Sequence, residues 1–212
     1  DKPVTVFNLN DFRDAQIEYP TSFAGLYQAK VKTKPTPDPH QIEAIEAVQA
    51  GLKTSGRGQM IMACGTGKTF TTLWIKESLK AQTTLVLLPS LSLLSQTMRE
   101  WAWASNTDFE ILNVCSDKSV GKKTEDMEVS DAPFPVTSEP AEIAKFLKRP
   151  KQKVIFCTYQ SSPLIAEAQL DSNIPTFDLT IADEAHRCTG KAEAGFATVL
   201  DADKIRSSKR LF

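Results

Sequence analysis

A short glycine-bearing segment, residues 62–69, carries the residues whose types and spacing most clearly point to chemistry. It reads Met-Ala-Cys-Gly-Thr-Gly-Lys-Thr and lies between an apolar run and a stretch with helical spacing, which is the setting of a phosphate-binding loop. Gly65 and Gly67 permit backbone torsions that other residues disfavour, so successive amides can point inward at phosphate oxygens. In such a loop the Lys68 ammonium reaches the β- and γ-phosphates, and the Thr69 hydroxyl holds Mg²⁺.

The segment departs from the usual phosphate-loop pattern G-x-x-x-x-G-K-T at its first position, where Met62 stands in place of glycine. Taken alone, the Gly-Thr-Gly-Lys-Thr string is also compatible with an incidental turn. The helix that follows would add the partial positive charge of its N-terminus to the backbone amides, and this favours the phosphate-binding interpretation.

An acidic pair, Asp183 and Glu184, stands at the end of another apolar run, residues 177–182. A site that hydrolyses a nucleoside triphosphate needs one carboxylate for the magnesium shell and another to orient and deprotonate water. Adjacent side chains at a strand end can point into one crevice at the carboxyl edge of a parallel sheet. Most Asp-Glu pairs are solvated loop residues, but the preceding apolar run and the phosphate loop elsewhere in the chain favour a site shared with Lys68.

Apolar runs and helical stretches alternate along most of the chain, and these elements must position the two motifs. Strand-like runs cover residues 60–62, 84–88, 111–114, 154–157 and 177–182. Helical spacing or helix-starting residues mark stretches near 42–52, 70–74, 90–101, 140–147 and 162–170. Strands that alternate with helices predict an α/β fold with a parallel sheet and helices on both faces.

The sequence divides into an N-terminal lead-in and one domain. Residues 1–38 carry scattered aromatic side chains and end in alternating prolines, which disfavour both helices and strand ladders. We therefore expect an extended lead-in over 1–38 and a single domain over 39–212. The polar, proline-bearing stretch 117–140 is expected to form a long loop. Residues 209–212 have the pattern of a strand that is just beginning, so we expect the natural chain to continue.

Composition and charge are those of an ordinary globular protein. The 212 residues are 41% hydrophobic and 24% charged, which is enough apolar mass for a core. The 25 basic and 26 acidic residues give a net charge of −1, so any contact with nucleic acid must be local. No apolar run approaches the roughly 20 residues of a membrane helix, and the N-terminus lacks the build of a signal peptide. We expect a cytoplasmic protein.

Cysteine and tryptophan side chains are expected to serve in packing. The four cysteines form no Cys-x-x-Cys pair, and with two histidines the chain offers no clear structural zinc site. Buried free thiols in a reducing compartment fit this pattern. Trp74, Trp101 and Trp103 fall on helical stretches and are expected to pack rather than to stack on nucleic-acid bases.

Taken together, the motifs give residues 39–212 a resemblance to the first RecA-like lobe of superfamily 2 helicases and translocases. Residues 63–69 resemble motif I of that family, and residues 183–186 resemble motif II in its Asp-Glu-Ala-His spelling. Other matching segments are Pro39-His40-Gln41, Leu87-Leu88-Pro89-Ser90 with Leu94-Ser95-Gln96, and Cys157-Thr158-Tyr159-Gln160. The resemblance implies a RecA-like P-loop fold with ATP and Mg²⁺ as cofactors, and it does not cover residues 1–38.

The resemblance also implies a role for each matching residue. Asp183 would hold Mg²⁺ together with Thr69, and Glu184 would be the base for the attacking water. His186 would couple the nucleotide state to the nucleic-acid side of the crevice. Gln41 would hydrogen-bond the adenine edge, although it also fits a plain first-turn residue of an amphipathic helix. The positions expected to contact the nucleotide are His40, Gln41, Cys64, Gly65, Thr66, Gly67, Lys68 and Thr69.

Nucleic-acid contacts are implied at four further positions, which are Ser90, Gln96, Thr158 and Gln160. Their hydroxyls and amides would contact phosphates and position a strand without reading its sequence. Each of the four also fits a helix cap or a loop residue.

The residues that fill these motifs are similar to those in the predicted helicases of ATP-dependent restriction–modification enzymes. In that group the motor pumps double-stranded DNA and is joined to nuclease and methyltransferase parts. The implied partners are therefore double-stranded DNA, contacted independently of sequence, and a second RecA-like lobe of the same polypeptide. Nuclease and methyltransferase domains are further implied partners. The resemblance implies no contact with a membrane.

The resemblance places motif III directly after Phe212 and places the transition-state arginines on the second lobe. The 212 residues are therefore expected to contain half of an active site. We expect them to bind nucleotide weakly and to hydrolyse ATP hardly at all. Two other functions stay open. One is the lobe of an RNA helicase, which uses nearly the same motifs, and the other is a nucleotide-binding scaffold that does not hydrolyse ATP.

Overall fold

The computed structural model describes residues 33–63, 65–115, 135–185, 201 and 203–212. The chain divides into two units, Asp1–Lys34 and Pro35–Phe212, and the elements below all belong to the second. Its helices are α1 (Pro39–Thr54), α2 (Lys68–Ser78), α3 (Leu91–Ala104), α4 (Pro140–Leu147) and α5 (Ser162–Ala168). Its strands are β1 (Arg57–Gly58), β2 (Thr83–Leu88), β3 (Glu110–Val114), β4 (Val136–Thr137), β5 (Lys153–Thr158), β6 (Leu179–Ala182) and β7 (Arg210–Leu211). None of these helices is long and apolar enough to cross a membrane.

One sheet contains all the strands that the structure describes. It has seven strands in the order β1-β7-β6-β2-β5-β3-β4, and every neighbouring pair is parallel. Strand β2 is central, because Thr84 pairs with Leu179 of β6 on one side and with Val154 of β5 on the other. Parallel strands bring all their carboxyl ends to one edge. The predicted α/β fold with a parallel sheet is confirmed.

Alternate residues of the central strands face two separate cores. Leu85 and Leu87 of β2 lie in the core formed with α4 and α5, whereas Val86 and Leu88 lie in the core formed with α1, α2 and α3. Successive side chains of a strand point to opposite faces of a sheet, and all six residues of β2 are buried. A strand covered on both faces has no polar face, which is why β2 reads as an unbroken apolar run.

Strand β7 lies between β1 and β6 and holds them in register. Arg57 of β1 pairs with Arg210 of β7, and β6 pairs with the other side of β7. The ladder continues past the strands, because the Phe212 amide donates to the Gly58 carbonyl at 3.0 Å and the Met60 amide donates to the Phe212 carbonyl at 2.8 Å. A strand of two residues thus aligns the chain before the phosphate loop with the strand before the acidic pair.

Two predicted boundaries were wrong. The strand before the phosphate loop falls on Arg57–Gly58 and not on the apolar run 60–62. Pairing with β7 ends at the Met60 amide, and the next residue, Ile61, is 86% exposed. Three apolar residues carry too little periodicity to distinguish a strand from an irregular segment. Residues 136–137, expected within the long loop, form β4 against β3, while 116–134 lie outside the described residues.

The cysteines and tryptophans that the structure describes include several packing residues, as predicted. Cys115 and Cys157 are buried free thiols, and burial raises the pKa of the Cys157 thiol. Trp74 and Trp101 are buried in the core. Cys64 and Cys188 lie outside the described residues.

A lysine is buried at the far end of α2 from the phosphate loop. Lys76 is fully buried, with its Nζ 4.5 Å from the centroid of the Phe109 ring and 3.3 Å from the Thr107 hydroxyl. Burial disfavours the charged form and lowers the pKa of Lys76 to about 8, while the neighbouring Glu77 carboxylate opposes this effect. Near neutral pH the folded protein therefore holds a buried charge that the unfolded chain exposes to water.

We predict that Lys76→Met raises the free energy of unfolding at neutral pH by on the order of 2 kcal/mol, because it removes a desolvated charge. The folded pKa of about 8 lies below the unfolded value of 10.5, so the folded state binds fewer protons in between and its stability rises with pH. The penalty is complete below the folded pKa and is lost as the pH rises through this window to the unfolded pKa. Urea unfolding at both ends of the window measures the difference.

The matched control is Lys53→Met, which replaces an exposed lysine in the last turn of α1. It should leave the free energy of unfolding nearly unchanged at both pH values. A stabilisation by Lys76→Met that does not shrink at high pH would show that the buried charge is not its cause.

Candidate functional site

A cavity of about 320 Å³ opens where β1, β7 and β6 end at the carboxyl edge of the sheet. Its lining includes Gln59, Met60, Ile61, Met62, Lys68, Thr72, Asp183, Glu184, Leu211 and Phe212. The cavity therefore contacts both of the segments for which chemistry was predicted. Two residues predicted to act at this edge, Cys64 and His186, lie outside the described residues.

The phosphate loop turns sharply through two glycines before α2 begins. Gly65 and Gly67 both have a φ of +78°, a left-handed torsion that residues with a Cβ rarely adopt. The Thr66 hydroxyl steadies the turn by donating to the Ala63 carbonyl at 2.7 Å. Helix α2 starts at Lys68, so the unpaired amides of its first turn and the positive end of its dipole lie at the loop, where they favour an anion.

Gly67 is also the point at which α1 approaches the loop. A Cβ at this position would collide with Gln41 Nε2, whereas a Cβ at Gly65 would meet nothing within 4 Å. Gln41 is buried, and its Nε2 donates to the Thr66 carbonyl at 3.1 Å and to the Gly67 carbonyl at 3.4 Å. Its Oε1 accepts from the Asp38 amide at 2.8 Å. The Gln41 amide therefore braces the loop against the start of α1.

A second cavity, of about 240 Å³, adjoins the loop beside α1. Its lining includes His40, Gln41, Phe70 and Trp74, and the two aromatic ring centroids lie 6.0 Å apart. Aromatic faces next to hydrogen-bonding side chains suit a planar base. The sequence predicts His40 and Gln41 at this place but misses the aromatic pair. The sequence signal for this pair is that Phe70 and Trp74 are four positions apart on α2, a spacing that puts both rings on one helix face.

The loop lysine and the acidic strand tip meet across β7. Lys68 Nζ lies 3.4 Å from Glu184 Oε1, and about a third of each side chain is exposed. Strand β6 ends at Ala182, and the Asp183 amide continues the ladder by donating to the Leu87 carbonyl at 3.0 Å. Glu184 then takes a left-handed φ of 55°, an uncommon torsion for a residue with a Cβ. The turn directs the Glu184 carboxylate to the phosphate loop.

The donors that line this cavity, together with Thr69 directly after Lys68 in the chain, fit a magnesium–triphosphate group. Thr69 offers a hydroxyl oxygen and Asp183 a carboxylate, which are ligand types that Mg²⁺ prefers, and Lys68 offers positive charge for phosphate. Within the described ranges, no three or more His, Cys, Asp or Glu residues gather into a metal-binding cluster. Mg²⁺ in nucleotide sites needs no such cage, because phosphate oxygens and waters complete its shell.

The four residues predicted to contact nucleic acid follow two neighbouring strands. Ser90 comes after β2 and caps α3, with its Oγ accepting from a backbone amide of that helix at 3.3 Å. Thr158 ends β5 and donates to a nearby serine hydroxyl at 3.1 Å. Gln96 and Gln160 are exposed. The two hydroxyls thus have local structural partners, and contact of all four residues with nucleic acid stays a prediction.

A known protein family and several known sequences match most of the chain. The sequence profile described as "Type III restriction enzyme, res subunit" matches residues 34–211. The chain is also 32% identical over 154 residues to "Probable helicase A859L" of African swine fever virus (strain Badajoz 1971 Vero-adapted). That match covers 73% of this chain and 16% of the relative, so the chain spans a small part of the relative's length.

Several solved structures are similar to the chain. The "ATP-dependent Type ISP restriction-modification enzyme LlaBIII bound to DNA" shares 38% identity with a TM-score of 0.75, over 85% of this chain and 13% of that one. A nuclease-deletion mutant of the Type ISP restriction-modification enzyme LlaGI, in complex with a DNA substrate mimic, shares 35% identity with a TM-score of 0.69, over 84% of this chain and 17% of that one. The Hef helicase domain of Pyrococcus furiosus, at 22% identity and a TM-score of 0.52 over 82% of this chain and 31% of that one, supports the fold.

We predict that Gly67→Ala lowers the affinity for ATP much more than Gly65→Ala. Both substitutions place a Cβ at a φ of +78°, which costs about 1–2 kcal/mol, but only the first forces it into the Gln41 amide. We expect a loss of at least about 100-fold for Gly67→Ala and of about 10-fold for Gly65→Ala, measured by titration with a fluorescent ATP analogue.

Gln41→Ala provides the control for the collision. Combined with Gly67→Ala, it removes the side chain that the new Cβ meets, so the double variant should lose less affinity than the two single losses added together. Equal losses in the two glycine variants, or strictly additive losses in the double variant, would contradict the close approach of α1 to the loop.

Proposed function

The chain belongs to the family of the type III restriction enzyme res subunit, and we propose that it is the ATP-binding motor lobe of an ATP-dependent DNA translocase or helicase. We further propose that this motor is part of a restriction–modification enzyme. The observation that carries the proposal is the 3.4 Å approach of Lys68 to Glu184, which joins the phosphate loop to the acidic strand tip. Likeness to two restriction–modification enzymes supports it.

In this proposal the loop amides of residues 64–67 and the N-terminus of α2 bind the phosphates. The Lys68 ammonium contacts the β- and γ-phosphates. The Thr69 hydroxyl and the Asp183 carboxylate would hold Mg²⁺, and the ion would supply positive charge to the transferring phosphoryl group. The Glu184 carboxylate orients the attacking water and accepts its proton. His40 and Gln41 contact the adenine, beside the aromatic rings that line the second cavity. Gln41 makes this contact as an acceptor through Oε1, because its Nε2 donates to the loop carbonyls.

The Lys68–Glu184 ion pair links proton acceptance to nucleotide binding. While the pair is made, the lysine occupies Glu184 Oε1. A triphosphate carries several negative charges, so it attracts the ammonium more strongly than one carboxylate does. Lys68 therefore turns to the phosphates on binding and releases Glu184 Oε1 to the attacking water. In this way the proposed base loses its lysine partner when a triphosphate lies in the loop.

We infer that the polymer acted on is double-stranded DNA, contacted independently of its sequence. Both similar restriction–modification enzymes are described with bound DNA or a DNA mimic. Ser90, Gln96, Thr158 and Gln160 would contact phosphates, and His186 would couple these contacts to the nucleotide. The net charge of −1 gives no overall attraction to DNA, so the contacts must be local. Contacts to phosphates are expected to weaken as the salt concentration rises. A second RecA-like lobe, with nuclease and methyltransferase domains, completes the proposed enzyme.

We predict that Glu184→Gln in the whole natural polypeptide abolishes ATP hydrolysis and spares ATP binding. The amide keeps the shape of the side chain but accepts no proton, so the hydrolysis rate should fall by about 10²–10⁴-fold. Lys68→Ala should instead weaken ATP binding by at least about 10-fold, because it removes a charge-assisted contact to phosphate. Phosphate release and binding of a fluorescent ATP analogue measure the two effects separately.

Glu43→Gln and Lys53→Ala are the matched controls, since they make the same kinds of change at exposed positions of α1. Both should leave binding and hydrolysis unchanged. Hydrolysis that survives Glu184→Gln would contradict the role of Glu184 as the base. Loss of hydrolysis with unchanged cellular function would favour the nucleotide-binding scaffold.

We predict that the 212 residues alone hydrolyse ATP about 10³–10⁵-fold more slowly than the whole polypeptide, because the resemblance places the transition-state arginines on a second lobe. In the whole polypeptide, duplex DNA should stimulate hydrolysis more than single strands or RNA. The phosphate-release assay with each polymer measures both effects. If the 212 residues alone hydrolyse ATP as fast as the whole polypeptide, the proposal that they contain half of the active site is wrong. If RNA stimulates hydrolysis most strongly, an RNA helicase is favoured.

A further inference from the structure

The two largest fully buried side chains in the described part of the chain, Trp101 and Tyr159, both donate hydrogen bonds into the candidate site. Trp101 Nε1 donates to the Thr69 carbonyl at 2.9 Å. Tyr159 Oη donates to the Asp183 carbonyl at 2.7 Å. The acceptors are the backbone groups of the two residues that are proposed to hold Mg²⁺. Each aromatic therefore contacts the backbone of one proposed magnesium ligand.

The bond from Trp101 exceeds what local structure requires. Thr69 lies in the first turn of α2, where its carbonyl belongs to the helical ladder, and it also accepts from the Thr72 hydroxyl at 2.9 Å. The indole N–H of Trp101 is thus an additional donor to the Thr69 carbonyl, which already has hydrogen-bond donors within α2. Its effect is to tie the start of α2 to α3.

The two donors reach the site from opposite faces of the sheet. Trp101 lies in the core formed with α1, α2 and α3, where its ring packs edge-on against Phe156 at 5.6 Å. Tyr159 lies in the core formed with α4 and α5. Close-packed cores hold large side chains in fixed positions. The backbones of Thr69 and Asp183 are therefore anchored from two independent sides.

Both donors also belong to segments that carry predicted nucleic-acid contacts. Trp101 lies on α3, which begins at the Ser90 cap. Tyr159 stands between Thr158 and Gln160. A shift of either segment would move a donor and, through it, the backbone of a proposed magnesium ligand.

We propose that Trp101 and Tyr159 are positioning residues that set the spacing of Thr69 and Asp183 and thereby the affinity of the site for Mg²⁺·ATP. The proposal rests on the proposed function, because it requires a nucleotide in the loop. Neither side chain touches the nucleotide; each acts through a backbone carbonyl. Mg²⁺ demands near-ideal octahedral geometry, so a displaced oxygen ligand weakens metal binding more than it weakens the grip of the loop amides on phosphate.

The test is the Mg²⁺ dependence of ATP binding by the whole natural polypeptide, measured by calorimetry for Trp101→Phe, Tyr159→Phe and the double variant. Both substitutions keep an aromatic ring and remove the N–H or O–H donor. ATP affinity in the presence of EDTA should change by less than about twofold. The gain in affinity on adding Mg²⁺ should fall about 10-fold in each single variant, as for other groups that orient metal ligands, and further in the double variant.

Two controls separate positioning from loss of stability. Ile174→Ala removes apolar volume from the core formed with α4 and α5, in the segment that leads to the amino end of β6, away from the site. Ser105→Ala removes a hydrogen bond to Glu77 Oε1 of 2.8 Å, near the end of α2 away from the loop. Both should lower the free energy of unfolding in urea and leave the Mg²⁺ gain unchanged. Tyr159→Phe keeps the six-membered ring and removes only the hydroxyl. If Trp101→Phe does not fold, the Mg²⁺ gain of Tyr159→Phe is the deciding measurement.

Each outcome supports or overturns a stated proposal. If the aromatic variants keep the wild-type Mg²⁺ gain, or if the controls lose it equally, the positioning role is overturned. If the wild-type protein binds ATP no better with Mg²⁺, or if Lys68→Ala binds ATP as the wild type does, the proposed function itself fails.

Discussion

The candidate site depends on the placement of β7 between β1 and β6. The phosphate loop follows β1 and the acidic pair follows β6, and these strands are not neighbours in the sheet. Two strand spacings amount to about 10 Å, a gap that a lysine and a glutamate side chain together can cross. The backbone bonds that β7 and Phe212 make to Gly56, Gly58 and Met60 hold this gap constant, and Lys68 can therefore meet Glu184.

The start of α2 is held by three neighbouring elements, and this explains how a loop with two glycines keeps one shape. Gln41 from α1 bonds the carbonyls of the loop, Trp101 from α3 bonds the carbonyl of Thr69, and Glu184 pairs with Lys68. Glycine would otherwise leave the loop many conformations. Because protein side chains take up the carbonyls, the arrangement favours amides that face a bound anion.

The parts of the fold that could be predicted from the sequence are those whose signals are local. The apolar run 84–88 reads as a strand because both of its faces are buried, and the grouping of Lys68 with Asp183 follows from the shared edge of parallel strands. The two-residue strands β1 and β4 could not be predicted, since they exist only through their pairing with a distant partner.

The hydrogen-bond partners of the site could not be predicted either. The sequence indicates that Trp101 packs inside the protein, but which carbonyl its indole N–H finds depends on how α3 lies against α2. The same holds for the Gln41 amide, whose partners include the carbonyls of Thr66 and Gly67, 25 and 26 residues away. Such partners are fixed by tertiary packing, which no local spacing of residue types encodes.

Strand β7 follows both the phosphate loop and the acidic pair along the chain, and this order determines when the site is completed during protein synthesis. Lys68 and Glu184 are 116 residues apart, and at about 5–20 residues per second a ribosome needs roughly 6–23 s to make the intervening chain. Contacts between such distant residues form after local ones, because the closure entropy of a long loop must first be overcome. A nascent chain thus carries the glycine loop for many seconds before β7 can align it, so the proposed nucleotide site is complete only after this sheet has formed.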